Sequence, residues 1–107
     1  MDKQFLEFRT TCDDQAVLKT ISKALLESKL AACVQISGPV VSRYRWEGKI
    51  ESKKEWILAA KSIAYLTHNV MTLIEEHHSY DEPEIISTPF TPVSDGYAIW
   101  LVENLAE

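Results

Sequence analysis

Ten consecutive residues concentrate the chemistry of this chain. Glu75-Glu76-His77-His78-Ser79-Tyr80-Asp81-Glu82-Pro83-Glu84 holds two imidazoles, five carboxylates and one phenol, with no positive side chain. Neutral imidazole is a good ligand for Cu²⁺, Zn²⁺ and Ni²⁺, and carboxylates complete such sites. A nearby acid also fixes an imidazole tautomer without touching the metal. His77 and His78 are therefore the candidate ligands, for Cu²⁺ ahead of Mg²⁺ or Ca²⁺. Spacing limits them. Adjacent helical residues point about 100° apart. The two rings share one ion only where the helix unwinds, or where another segment or subunit adds ligands. Competing readings stay open. His77 continues the apolar row of Leu66, Val70 and Leu73, which would bury it in the core. His78 would simply complement the negative end of a helix. His68 stands alone near a helix start and reads as exposed.

Other chemistries find less support. The two cysteines, Cys12 and Cys33, form neither a Cys-x-x-Cys pair nor a secreted framework. Cys12 precedes a helix start, yet nothing in linear order pairs it with a base. Cys33 sits in an apolar run and reads as a small buried thiol. The three glycines lie apart at 38, 48 and 96, so no loop can cradle a phosphate. Tyr44, Trp46 and Trp56 with Arg43 and Arg45 read as base-stacking groups or, more simply, as a packing surface. No acid–base pair or activated nucleophile stands out, so an enzyme is not expected.

Charge narrows the partners. All 11 Lys and Arg lie at or before Lys61, leaving residues 1–61 at +3 and residues 62–107 at −8. An acidic chain without a basic stripe argues against nucleic acid and suits cations. No apolar run approaches the ~20 residues of a membrane-spanning helix. The start Met1-Asp2-Lys3-Gln4 lacks a signal-peptide pattern, so a reducing cytoplasmic location is expected.

The 107 residues make one domain, expected over 1–107, large enough for its own core. Residues 4–12 alternate, with Leu6, Phe8, Thr10 and Cys12 on one face, which predicts a half-buried strand. Thr11-Cys12-Asp13-Asp14 fits a capping box, and Val17, Ile21 and Leu25 predict a helix over 14–28. A strand follows over 30–36. Gly38-Pro39 bends or bulges it, and it resumes with Val40, Ser42, Tyr44 and Trp46 on one face. Glu47-Gly48 predicts a two-residue turn into a return strand over 49–61. A helix from Ser62, a strand over 85–88 and a last helix capped by Ser94 complete the chain. This is an α+β chain of ferredoxin-like βαββαβ order, with a long central hairpin and an extra C-terminal helix. The long hairpin carries more apolar surface than one small domain should leave in water, which predicts self-assembly.

Three blocks carry a resemblance. Leu30-Ala31-Ala32-Cys33-Val34, Ser42-Arg43-Tyr44-Arg45-Trp46-Glu47-Gly48-Lys49 and His78-Ser79-Tyr80-Asp81-Glu82-Pro83-Glu84-Ile85 resemble the signature blocks of the CutA divalent-cation-tolerance family, in order and near spacing. The resemblance implies a cytoplasmic homotrimer built through extended hairpin strands, linked to tolerance of copper and other divalent ions. It implies His77 and His78 as the family's His-His copper ligands. The family's third proposed ligand, a cysteine, falls here at Thr10. Cys12, two residues later with the same strand parity, is the displaced substitute and the third candidate metal residue. Ser79 stands where a proline is common in the family, and Asp13 where its first loop often has one. A second reading is a trimeric regulatory scaffold of the kind related to PII signalling proteins. There Tyr44, Trp46, Tyr80 and Glu84 would line a cleft between subunits.

Overall fold

The computed structural model describes residues 3–107; Met1 and Asp2, part of the expected 1–107 domain, lie outside the described residues. The elements are β1 (Phe5–Cys12), α1 (Gln15–Glu27), β2 (Cys33–Trp46), β3 (Lys49–Ile63), a 3₁₀ turn (Ala64–Leu66), α2 (Thr67–His77), β4 (Ile86–Pro89) and α3 (Asp95–Glu103). The four strands form one antiparallel sheet in the order β2-β3-β1-β4. This is the ferredoxin-like α+β arrangement that the element order predicts.

The core lies between one sheet face and the helix pair α1–α2. Leu6 and Phe8 of β1 and Leu58 and Ala60 of β3 meet Leu18, Ile21 and Leu25 of α1 and Val70 and Ile74 of α2. Period two in the strands and period 3.6 in the helices put these residues on facing surfaces. In α3 only Leu101 is buried, while Tyr97, Ile99 and Trp100 stay exposed.

Local signals were misread at four ends. Thr11 does not begin a capping box, because β1 pairs with β3 through Cys12↔Trp56. Asp14 itself caps α1, its Oδ1 accepting from the Ala16 N–H at 2.9 Å. Ser62 does not begin α2. β3 runs on to pair Ile63 with Phe5, and the buried Ser62 hydroxyl donates to the Leu30 carbonyl at 2.7 Å. β2 starts at Cys33 rather than residue 30, and β4 starts at Ile86 rather than residue 85.

The hairpin decides where the chemistry can sit. Glu47 (φ 51°) and Gly48 (φ 78°) both take left-handed backbone, the geometry of a type I′ turn. At the other end, Gly38 takes φ 126° and closes on Trp56; a Cβ there would stand 3.0 Å from the indole. Between Ser37↔Ile57 and Val40↔Glu55 the register shifts, with one extra residue on β2. That bulge inverts parity. Ile36 pairs with core-facing Leu58, but Val40, Ser42, Tyr44 and Trp46 join the face of Glu55, opposite the helices. Beyond Cys12 no β1 partner remains, so the hairpin overhangs and stretches the molecule to 46 × 26 × 22 Å.

Candidate functional site

The loop from His78 to Ile85 folds back over the end of β1 and meets the overhanging hairpin. It starts where α2 stops. His78 takes extended backbone (φ −76°, ψ 145°), while its N–H still caps the Ile74 carbonyl at 2.9 Å. This break separates the two imidazoles. His77 remains on the helix and is exposed, contrary to the buried-core reading; its Nδ1 lies 2.9 Å from the Leu73 carbonyl, to which it donates.

His78 turns the other way. The Tyr80 N–H donates to His78 Nδ1 at 3.0 Å, so the ring proton sits on Nε2 and is donated to the Thr11 carbonyl at 2.8 Å. Both ring nitrogens are thereby used to tie the loop to β1. Cys12 lies at the same corner, fully buried, with Sγ 3.4 Å from the Ser79 hydroxyl. The structure thus brings His78 and Cys12 to one corner and turns His77 away. Among the described residues, no three His, Cys, Asp or Glu converge as a metal chelate. The donors of the described residues do not fit a closed copper site. Thr10 is fully buried, and its hydroxyl finds no partner among the described residues.

Tyr80 is the loop's anchor. Its hydroxyl accepts from the Asp13 N–H at 2.8 Å and donates to Glu55 Oε2 at 2.7 Å. The ring packs beside His78, centroids 4.8 Å apart, and Lys53 Nζ stands 4.6 Å over its face. Lys53 also reaches Asp13 Oδ2 at 3.4 Å. Burial, and then donation to Glu55, hold the phenol well above the usual tyrosine range.

Between loop and hairpin lies an open groove of about 770 Å³. Tyr44, Trp46, Tyr80 and Glu84 all line it, together with Lys53 and Glu55. Glu84 is exposed and makes no hydrogen bond or ion pair among the described residues. Sequence reasoning missed Glu55, Lys53 and Asp13. No local pattern marks Glu55; it is 7% exposed and meets Tyr80 of a loop 25 residues away.

Residues 7–104 match the family model of the CutA1 divalent ion tolerance protein. The chain belongs to the CutA1 family. It is 35% identical over 94 residues to the divalent-cation tolerance protein CutA of Thermus thermophilus, covering 88% of this chain and 91% of that one. It is 39% identical over 83 residues to the chloroplastic protein CutA of Arabidopsis thaliana, where the match covers 78% of this chain and only 46% of the plant protein. The fold overlays the crystal structure of CutA1 from Shewanella sp. SIB1 with a TM-score of 0.93 at 33% identity, over 100% of both chains. In this CutA1 chain the His78-Ser79-Tyr80 corner ties the loop to the end of β1 and to Glu55 of β3.

Proposed function

We propose that this CutA1 chain acts as a non-enzymatic, cytoplasmic homotrimer in the response to divalent cations, with Cu²⁺ as the ion it meets. The observation that carries the reading is the overhanging hairpin. Its outer part exposes Val41 (73%), Trp46 (62%) and Ile50 (61%), and β2 is an unpaired sheet edge along its whole length. Exposed apolar strands with a free edge favour association, and cyclic closure covers them without leaving a new edge. In such a ring Tyr44, Trp46, Tyr80 and Glu84 would border a cleft between subunits, and the free carboxylate of Glu84 would have a neighbour's cations within reach.

The copper contact is reduced to His77 in this reading. Its Nε2 has no partner among the described residues, whereas His78 joins only by giving up one of two hydrogen bonds, and Cys12 only if its corner opens. Calorimetric titration with Cu²⁺ tests this on the parent, His77→Ala and His78→Ala. Copper binding should be lost with His77 and largely kept without His78. Equal copper binding by the parent and His77→Ala would end the assignment.

A further inference from the structure

The groove holds a carboxylate that the fold leaves without a counter-charge. Glu55 is 7% exposed. Its Oε2 accepts one hydrogen bond, from the neutral phenol of Tyr80, and its Oε1 accepts none from the described residues. No Lys, Arg or His nitrogen of the described residues stands within ion-pair distance of either oxygen. Lys53, two residues away on the same face, is drawn instead to Asp13 and the Tyr80 ring. The unpartnered Oε1 is not among the fully buried polar atoms, so it opens toward the groove and can meet a cation there. Glu55 sits on the wall of the groove, where a cation can arrive from outside.

The other walls select what kind of cation. Tyr44 and Trp46 project from the hairpin, 38% and 62% exposed, and offer aromatic faces. Asp81, Glu82 and Glu84 supply further negative charge from the loop against Arg43 and Lys53 of the hairpin, so four carboxylates face two cations and the lining stays negative. Aromatic faces beside carboxylates attract an ammonium group carried on a carbon frame. A metal ion is served poorly here. No three donors converge on one point among the described residues, ring faces offer no coordinating atom, and the Tyr80 phenol keeps its proton. The volume, about 770 Å³, is that of a small-molecule site.

We propose that this groove binds a small organic ammonium compound, its N–H donating to Glu55 and its carbon frame lying against Tyr44 and Trp46. The proposal deepens the reading of the groove as the ligand cleft of the assembled protein. It needs no copper at His77.

Benzylamine, charged at neutral pH, and its uncharged isostere benzyl alcohol are the probes. Both are titrated by calorimetry into the purified oligomer in phosphate buffer. Saturable benzylamine binding is expected, at least tenfold tighter than benzyl alcohol. Glu55→Gln should weaken it tenfold or more, with the amide oxygen still able to accept from Tyr80. Trp46→Ala should weaken it about threefold and serves if Glu55→Gln fails to fold, read only on variant protein that keeps the parent's mass in light scattering. Equal binding of the two probes overturns the proposal, because apolar contact alone would then explain it. No benzylamine binding overturns it too, as when a neighbouring subunit's basic side chain already sits on Glu55. Solution mass separates this from the assembly reading. A trimer that ignores benzylamine sinks the proposal alone, and a monomer that binds it sinks the trimer alone.

Discussion

The Tyr80 hydroxyl bridges Glu55 and the backbone N–H of Asp13, at 2.7 and 2.8 Å. One phenol thus joins the loop after α2 to the end of β1 and to the overhang of β3. Tyr80→Phe keeps the ring but leaves a buried carboxylate and a backbone donor without their partner. Such losses cost about 1–3 kcal/mol. Urea unfolding of Tyr80→Phe should show a stability loss in that range; a loss below ~0.5 kcal/mol would mean that water replaces the hydroxyl freely.

The same bridge has a pH signature. The folded phenol is held above its ordinary range, so in base the unfolded chain loses that proton first. The native state then holds the extra proton. Its stabilising effect is complete below the ordinary tyrosine value near ~10 and drains away as pH rises past it. Between pH 9 and 11 the parent should lose stability more steeply than Tyr80→Phe. Spectrophotometric titration of the native protein should show one of its four tyrosines resisting ionisation. Parallel slopes for parent and variant would contradict this.

The two adjacent histidines should separate cleanly in stability. His78 ties Thr11 to Tyr80 through both ring nitrogens, and His77 bonds only within its own helix. His78→Ala should cost about 1–3 kcal/mol and His77→Ala less than ~0.5 kcal/mol. Thermal unfolding of the two variants checks the order; the reverse order would assign the latch to the wrong ring.

That split shows what the sequence could not reveal. Alternation in Leu6-Phe8-Thr10-Cys12, the helical row through Ile21 and Leu25, and the Glu47-Gly48 turn are local, and each was legible. His77 and His78 looked like a pair because linear order does not show a helix ending between them. The true extent of β3 was hidden because Ser62 and Ile63 are held in the strand by long-range partners, Leu30 and Phe5. Glu55 carried no signal at all. Its burial comes from a tertiary crossing by Tyr80, and its sharing of a face with Tyr44 and Trp46 depends on a one-residue bulge at Gly38-Pro39. Tyr44, Trp46, Tyr80 and Glu84 belong together through the family blocks, not through spacing.

Thr10 offers a test by gain. Its hydroxyl is fully buried and unpartnered among the described residues. Thr10→Val keeps the shape and removes a polar group that makes no bond. The variant should be more stable by about 1 kcal/mol in urea unfolding. A loss of similar size would show that the hydroxyl has a partner in the assembled protein.

In the proposed trimer the overhanging hairpin is the assembly surface. Light scattering coupled to size exclusion, at micromolar concentration and without metal, tests it most directly. One species is expected at three times the 12.2 kDa chain mass, with Trp46→Glu shifting it toward smaller species. A monodisperse 12.2 kDa monomer would contradict it.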